Sequence, residues 1–532
     1  MNEKQVQHAK RSVAKVMGVH RAFNYKEPYI LNEDVQFGGT AFFVHRSIFG
    51  TAFPIKDKNV RFALTNFHVV DELTNTHCNL CFPGKGRSKI VAEVVYVIPS
   101  LDVAILKIDP AGDHPLWFDS DSVKDYIKSI PNLKINECSV KGNSQKVVAI
   151  GFPNLSSDYQ LCEGCISGRG LGMLQLSISL NGGNSGGPLM MNGQVIGINT
   201  ASIKDSEALG LAVPIQQILR FFQYWTQYNS TILNVPSWGF IGKTTTEDYL
   251  QYHEIETPIH GCSIEKIIKD GPLGCSRVHQ NDIIMNLYTT NRRYKVDNFG
   301  LISVDWTDKK VPLDNQEFIL TLDPENIRID IFRWRSKTIV KQVPIKLFPI
   351  HFNVRETFEQ WEDVPYYVIG GMVFMNLSMN HLKVEDEEDE AYCPPEQAIP
   401  LVNFSQSNMH LKTAVVVTHI PQQSHISTLG VISPFDRIVK CNNKTIKDVT
   451  HLQQIIHKHT IRCNQSTSKQ DEYIVLETNK SKIYLSIERL RVKEIQDIVE
   501  GVYPPESCNL HTIQTHTQVH KRKYTELLGA LE

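Results

Sequence analysis

The pattern of hydrophobic and polar positions divides the chain into regions. Between about Phe37 and Pro214, short apolar runs alternate with Gly, Asn and Asp, as at residues 39–44, 50–55, 62–65, 92–97, 103–108 and 146–151. Such runs predict short strands of an all-β barrel or sandwich. From Ile215 to Tyr228, apolar residues recur at helical spacing, so we expect a helix that closes this region.

Two further units follow, at residues 237–348 and 363–490. Each contains a Gly-bearing apolar segment, a Val/Ile-rich strand, a turn and then a similar motif, Asn281-Asp-Ile-Ile-Met-Asn286 in one and Phe435-Asp-Arg-Ile-Val-Lys440 in the other. This correspondence predicts a divergent internal repeat. We therefore expect an N-terminal extension at 1–36, a mainly β domain at 37–228, two α+β repeats at 237–348 and 363–490, and a polar tail at 491–532.

Length and charge agree with this division. The chain has 532 residues, which suggests about three or four domains. Its net charge of −2 gives no support to nucleic-acid binding, which needs a local excess of Lys and Arg. No apolar run approaches the roughly 20 residues that span a bilayer, so we expect no membrane partner.

Cysteine usage and the N-terminus bear on location. The chain has 11 Cys, an odd number spread thinly over its length, which favours a reducing compartment over a disulfide framework. The first residues lack the apolar core of a secretory signal. These observations predict an intracellular protein, either cytoplasmic or nuclear.

Two Cys-x-x-Cys pairs, Cys78/Cys81 and Cys162/Cys165, raise the possibility of a zinc site. Both pairs lie in or beside predicted strands, where residues three apart point to opposite faces. Chelation by either pair would need a bend. We therefore expect free or buried thiols, with no metal site and no cofactor.

Three short motifs carry the candidate chemistry. In chain order they contain His68, Asp102 and Ser185, within Leu64–Val70, Ser100–Leu106 and Asn181–Leu189. A serine hydroxyl needs an imidazole to accept its proton, and the imidazole needs a carboxylate to orient it. The motifs predict a catalytic triad with Ser185 as nucleophile, His68 as general base and Asp102 as orienting carboxylate.

Glycines flank the predicted nucleophile. Acyl transfer places negative charge on a carbonyl oxygen, which backbone N–H groups stabilise. We expect the N–H groups of Gly183 and Ser185 to form this oxyanion hole, because a glycine can turn its N–H inward at little steric cost.

The segment Gly183–Gly187 also fits the G-x-S-x-G elbow of α/β-hydrolases, in which a helix follows the serine. Here apolar segments flank Asn192-Gly193, a strong signal for a two-residue β-hairpin. A hairpin after Ser185 disfavours the hydrolase alternative.

These three motifs resemble those of trypsin-fold serine proteases of the HtrA/Deg family, in the family's order. The two repeats resemble its PDZ domains, and Tyr367–Phe374 is similar to the second PDZ domain of plant-type Deg proteases. The resemblance covers residues 37–490. It implies two β-barrels with the active site in their cleft, followed by two PDZ-like domains, in which no unmistakable carboxylate-binding loop is found.

The resemblance also implies an activity and an assembly. We expect ATP-independent endoproteolysis of unfolded or damaged proteins, and homo-oligomers built from trimers. Aromatic residues before the barrel, Phe23, Tyr25 and Tyr29, are candidates for the trimer contact, with simple packing as the alternative.

The residues expected to line the substrate pocket are Ser179, Leu180, Asn199, Thr200 and Ala201. No Asp stands where a trypsin-like pocket would hold one, so a small or medium apolar side chain should fit better than Lys or Arg. The alternative to an active protease is a latent or non-proteolytic, PDZ-containing chaperone or peptide-binding scaffold.

Overall fold

The computed structural model describes residues 1–490 except 87, 113, 115–119, 139, 141–143, 171, 203–209, 256–258, 384–395, 406–411 and 464–467, together with residues 492 and 493. The predicted tail at 491–532 therefore lies almost entirely outside the described residues. Two compact units are present: 1–21 with 34–350, and 22–33 with 351–532. No helix in the described part of the chain is both long and apolar enough to span a membrane.

The first unit begins with a six-stranded closed barrel, which we call barrel 1. Its strands are β1 (Val13–His20), β2 (Val35–Val44), β3 (Arg61–Thr65), β4 (His77–Cys81), β5 (Lys89–Ile98) and β6 (Val103–Ile108), in the order β1-β2-β3-β6-β5-β4. Helix α1 (Glu3–Arg11) precedes it and α2 (Ser120–Ser129) follows. Asn2 caps α1, because its side chain accepts from the Gln5 N–H.

A second closed barrel, barrel 2, follows. Its strands are β7 (Lys146–Gly151), β8 (Gln160–Gly170), β9 (Met173–Leu176), β10 (Pro188–Met191), β11 (Gln194–Ser202) and β12 (Gly210–Pro214), in the order β10-β11-β12-β9-β8-β7. Helix α3 (Ile215–Arg220) continues as a π turn over Phe221–Trp225, so the predicted closing helix is present but ends before Tyr228. The mainly β prediction is confirmed.

Two sequence expectations at the start of barrel 1 differ from the structure. Strand β1 lies inside the predicted N-terminal extension, because its register with β2 completes the barrel. The predicted strand at 50–55 is a loop. Gly50 ends a short 3₁₀ helix with φ +79°, and Phe53 is fully buried from this irregular backbone. Burial of the loop, and not strand pairing, explains its apolar residues.

The first repeat completes the first unit. Its elements are β13 (Phe240–Lys243), α4 (Glu247–Tyr252), β14 (Cys262–Ile267), β15 (Ile283–Tyr288), β16 (Arg293–Lys295), β17 (Leu301–Ile302), β18 (Val311–Pro312), α5 (Gln316–Leu320), β19 (Ile327–Arg333) and β20 (Thr338–Ile345). Helix α5 contacts barrel 2 through a buried ion pair, in which Arg169 lies 2.6 Å from Glu317. The pair compensates the cost of burying each charge.

The second repeat forms most of the second unit. Its elements are β21 (Tyr366–Ile369), β22 (Met372–Asn376), β23 (Val415–His419), α6 (His425–Leu429), β24 (Arg437–Cys441), β25 (Lys444–Thr445), α7 (Val449–Cys463), β26 (Tyr473–Thr478) and β27 (Lys482–Ser486), with 3₁₀ segments at Met379–Leu382, Glu396–Ser405 and Lys469–Glu472. Gly370 and Gly371, both with positive φ, form the tight turn between β21 and β22.

The internal repeat predicted from sequence is visible as one shared turn. Asp282 and Asp436 are both buried, and each accepts the backbone N–H three residues earlier at 2.9 Å, from His279 and Ser433 respectively. The preceding residue is left-handed in both repeats, with φ +70° at Asn281 and +66° at Phe435. The same backbone turn therefore explains the similar sequence motifs.

The aromatic residues proposed for a trimer contact have packing partners within the second unit. Phe23, Tyr25 and Tyr29 contact a cluster formed by Val368, Val373 and Met375. The Tyr25 hydroxyl donates to the Thr357 carbonyl at 2.6 Å. These contacts correspond to the packing alternative, because the side chains complete an intramolecular apolar cluster.

Candidate active site

His68 lies in a tight turn directly after β3. The flanking side chains Phe67 and Val70 are buried, and the Val70 N–H donates to the Phe67 carbonyl at 2.8 Å. This anchoring leaves His68 partly exposed, with 43% of its side chain accessible. A polar imidazole thus reaches the cleft from a turn that is held by apolar neighbours.

Asp102 immediately precedes β6. It ends the 3₁₀ turn Pro99–Leu101 in the left-handed conformation, with φ +53° and ψ +49°. Asp tolerates the left-handed conformation better than most residues. Left-handed non-glycine residues are frequent at functional sites, where the backbone fixes the direction of one side chain. The buried strand that follows, as predicted from its apolar sequence, anchors the carboxylate.

His68 and Asp102 form a bidentate contact. His68 Nδ1 lies 2.9 Å from both Asp102 Oδ1 and Oδ2, and the His68 backbone N–H donates to Oδ1 at 3.0 Å. Because an ionised carboxylate only accepts hydrogen bonds, Nδ1 carries the proton in the neutral imidazole. The other ring nitrogen, Nε2, then has the lone pair that a general base requires.

Ser185 is on the Gly-rich turn that enters β10, and it is partly exposed. Its backbone carbonyl accepts the Thr40 N–H at 2.8 Å, while the next N–H, of Gly186, donates to Asn66 Oδ1 at 2.5 Å. The hydroxyl of Thr40 donates to the Gly183 carbonyl at 2.7 Å. Barrel 1 therefore holds the barrel 2 turn through three hydrogen bonds at the seam between the barrels.

The predicted oxyanion donors are on this turn. Gly183 has φ +92°, a conformation that favours glycine. Among the hydrogen bonds of the described residues, neither the Gly183 nor the Ser185 N–H donates to a protein acceptor. Both N–H groups belong to the same turn as the Ser185 hydroxyl.

Thr200 has a role that the sequence reasoning missed. Its hydroxyl donates to Asp102 Oδ2, and its carbonyl accepts the Ser185 hydroxyl at 2.5 Å. One residue of β11 therefore contacts two members of the predicted triad. Asn66 also contributes, because its Nδ2 donates to the Asp102 carbonyl at 2.9 Å. Asn66 lies in the motif Thr65-Asn66-Phe67-His68, so its position two residues before His68 was the available signal for a supporting role. Nothing in the three motifs indicates such a role for Thr200.

A second carboxyl group lies close to the triad. Burial raises the pKa of Asp71 to about 7, with the charge of Glu72 adding to the shift and that of Asp102 contributing less. The positive charge of a protonated His68 opposes these effects. Asp71 is therefore a carboxyl group that titrates near neutrality, three residues after the candidate base.

The predicted pocket residues have different environments. Ser179 is exposed and Leu180 is buried, whereas the side chain of Ala201 lies outside the described residues. Asn199 does not line a pocket as predicted: its fully buried amide approaches the Ile150 carbonyl at 3.5 Å, behind the nucleophile turn. The side chain of Thr200 is likewise committed to Asp102. These differences arise because the fold decides which polar groups lie next to each side chain, and the sequence does not show those neighbours.

The two Cys-x-x-Cys pairs lie in strands. Cys78 is buried in β4 and Cys81 is half-buried, and Cys162 and Cys165 are half-buried in β8. All four are free thiols. Within the described ranges, no group of three or more His, Cys, Asp or Glu side chains could hold a metal ion.

Comparison with known proteins agrees with this geometry. A family model described as a trypsin-like peptidase domain matches residues 50–198, and a PDZ domain model matches residues 356–486. Together with the relatives below, these matches support a serine protease of the HtrA/Deg type with a PDZ domain. The hairpin that follows Ser185, in which Asn192 and Gly193 both have positive φ, excludes the α/β-hydrolase elbow.

The chain is similar to a probable periplasmic serine endoprotease DegP-like from Pseudomonas putida (strain W619), to which it is 27% identical over 241 residues, 42% of this chain and 44% of the relative. A protein of the same description from Chlamydia trachomatis is 25% identical over 252 residues, 44% of this chain and 45% of the relative. The chain thus spans less than half the length of these relatives. A solved structure, HtrA-type protease AlgW with decapeptide, is 19% identical, with a TM-score of 0.43 over 65% of this chain and 98% of that one.

The predicted cytoplasmic or nuclear location is wrong. The relatives are named periplasmic endoproteases, which indicates an extracytoplasmic location. The prediction rested on the odd, thinly spread Cys and on the first residues of the chain. Burial raises the pKa of Cys78 and Cys441 to about 12 and that of Cys262 to about 11. Buried thiols with little thiolate react slowly with oxidants, so these three cysteines do not indicate a reducing compartment.

Proposed function

We propose that this chain is an HtrA-type serine endopeptidase in which Ser185 is the nucleophile, His68 the general base and Asp102 the orienting carboxylate. The observation that carries the proposal is the contact of His68 Nδ1 with both carboxylate oxygens of Asp102 at 2.9 Å. It leaves Nε2 as the proton acceptor on the imidazole, at the seam where the Ser185 turn is held.

The first chemical step is attack on a substrate carbonyl. The Ser185 hydroxyl turns from the Thr200 carbonyl towards His68, which accepts its proton as Oγ bonds to the carbonyl carbon. Asp102 stabilises the imidazolium that forms. The Gly183 and Ser185 N–H groups donate to the oxyanion, an interaction that strengthens as the charge develops.

The second step releases the products. The His68 imidazolium returns the proton to the leaving amine, and the acyl group remains on Ser185 Oγ. Water then attacks the ester, with the same imidazole as base, and the carboxylate product leaves. The chemistry requires neither a metal ion nor an organic cofactor.

We propose a preference for small or medium apolar residues on the acyl side of the scissile bond. The chain contains no Asp or Glu from Met173 to Thr200, the stretch that carries the nucleophile and the residues before it. A Lys or Arg side chain would therefore lack a carboxylate partner there. Cleavage of a peptide library chiefly after Lys or Arg would contradict this preference.

The substrates that we propose are unfolded or damaged proteins, cleaved without ATP. Extended backbone is accessible in such chains and can pair with strands that line the cleft. A homo-oligomer built from trimers is proposed from the family resemblance alone, since the aromatic candidates pack within one chain. Sedimentation velocity of the purified chain tests this assembly, and a monomer at all concentrations would contradict it.

The activity is tested with a fluorophosphonate probe and with casein. Labelling and cleavage are expected in the unaltered chain and should both be lost in Ser185→Ala. Ser303→Ala, which alters an exposed serine of the first repeat, is the matched control and should behave as the unaltered chain.

Failure of the probe to react under all conditions, together with intact binding of peptides, would contradict the peptidase and support the latent scaffold. Cleavage that persists in Ser185→Ala would contradict the assigned nucleophile.

A further inference from the structure

Barrel 1 carries a cavity on the outer face of its sheet, lined by residues other than the candidate triad. Its volume is about 400 Å³, and residues of β1, β4, β5 and the segment after β7 line it. Cavities of this size accommodate small organic ligands. The chemistry of its lining then determines which ligand class fits.

Two lysines lie on opposite sides of one residue at this cavity. Lys15 of β1 and Lys89 of β5 are both directly opposite Cys81 of β4 in the antiparallel register. Directly opposed residues point to the same face of a sheet. The row Lys15–Cys81–Lys89 therefore crosses three neighbouring strands on the outer face, where the two lysine Cα atoms are about 10 Å apart.

This arrangement concentrates positive charge. Both ammonium groups act on the Cys81 thiol and favour its ionised form, although burial outweighs them and raises its pKa. No acidic residue lines the cavity in the described part of the chain. An anion seated over the row would interact favourably with two cations at once.

Apart from Ser157, the remaining walls carry no polar side chain among the described residues. Phe82 and Phe152 are buried side chains that line the cavity, and Met17 lies on the same face as Lys15, two residues further along β1. The Cys81 thiol donates to Met17 Sδ at 3.7 Å, so the floor is sulfur-rich and adaptable. An apolar chain would be desolvated against these groups.

We propose that this cavity binds a small carboxylate with an apolar chain, of the medium-chain fatty acid class. The carboxylate of the ligand lies over the Lys15–Cys81–Lys89 row, and its alkyl chain contacts Met17, Phe82 and Phe152. None of the residues that line the cavity belongs to the proposed triad or oxyanion hole, so ligand binding is tested separately from peptidase activity.

The experiment measures binding of decanoate to the full-length chain by calorimetry, below the critical micelle concentration. Saturable binding is expected for decanoate, with decanol and acetate each at least about tenfold weaker, because each retains only one half of the recognised chemistry. Cys81 also provides a direct reporter: decanoate should slow its alkylation by iodoacetamide, as followed by peptide mass spectrometry, but leave the exposed Cys275 unaffected.

Variants localise the site. Lys89→Met removes one charge while it keeps the side-chain length, and should weaken decanoate binding about tenfold. Lys58→Met changes an exposed lysine of the same barrel and should leave the affinity unchanged. Equal binding of decanoate and decanol, equal affinity of Lys89→Met, or undiminished Cys81 alkylation at saturation would each overturn the proposal.

Discussion

The two barrels have the same strand order but supply different groups to the cleft. In both, the strands follow the order first, second, third, sixth, fifth, fourth. Barrel 1 contributes the ionisable side chains His68 and Asp102. Barrel 2 contributes the Ser185 hydroxyl and the backbone donors of a Gly-rich turn. One architecture thus carries the proposed proton-transfer groups in one copy and the proposed nucleophile and oxyanion donors in the other.

The difference lies in the connecting segments and not in the strands. Barrel 1 aims its carboxylate by a left-handed Asp102, whereas barrel 2 exposes N–H groups through Gly183, also at positive φ. The strands serve as a rigid frame, and function resides in the turns that they position. Side-chain changes at the proposed catalytic residues should therefore affect activity more than folding, whereas changes that disturb the packing of these turns should affect folding.

The largest effect is expected for Asp102→Asn. Asn also tolerates the left-handed conformation, so the backbone should persist, but its amide would stabilise the wrong imidazole tautomer. We expect kcat to fall about 10⁴-fold with casein-derived peptides, by analogy with serine proteases in general. The melting temperature should change little, and activity within tenfold of the unaltered chain would contradict the role of barrel 1.

Gly186→Ala tests the contact between the barrels. Its Cβ would overlap the Thr40 carbonyl oxygen and the Thr65 hydroxyl, at a residue with φ +85°. Overpacking and backbone strain should together lower the free energy of unfolding by about 3 kcal/mol, measured in urea. Gly182→Ala, which has no atom within 4 Å of its added Cβ, is the matched control. Equal stability of the two variants would contradict a tightly packed seam.

Thr200→Val tests the residue of barrel 2 that supports the carboxylate of barrel 1. Loss of one hydrogen bond to a charged group should reduce kcat about tenfold, with KM nearly unchanged. Thr200→Ser keeps the hydroxyl and should restore most of the rate. If the serine variant is as impaired as the valine variant, Thr200 acts through packing and not through its hydroxyl.

The smallest effect concerns Asp71. Folding raises the pKa of this carboxyl from 3.8 to about 7, so the folded state keeps a proton that the unfolded state releases. Between these pH values its contribution to stability falls as pH rises. Asp71→Asn should therefore increase the melting temperature at pH 8 more than at pH 5. The exposed Asp270→Asn is the control, and an equal shift at both pH values would exclude the raised pKa.

Much of the candidate site was predictable because its chemistry requires a particular order of residues. His68, Asp102 and Ser185 each stand in a local motif, and the Asn192-Gly193 turn predicted the hairpin that distinguishes this fold from the α/β-hydrolases. Thr200 and Asn66 were missed as supporting groups, because their partners are distant in sequence. Asn199 was assigned to the pocket for the same reason, because the segments that bury its side chain are distant in sequence.

The amino-acid sequence by itself determined the mainly β class, the repeat and the three motifs, since strand period, turn residues and nucleophile chemistry are local properties. Only the tertiary structure decided that Val13–His20 completes barrel 1, that Tyr25 packs in the second unit, and that two lysines flank Cys81. These features depend on register and on side chains from distant segments. Pairing between strands brings such residues together, and no local sequence pattern specifies which strands pair.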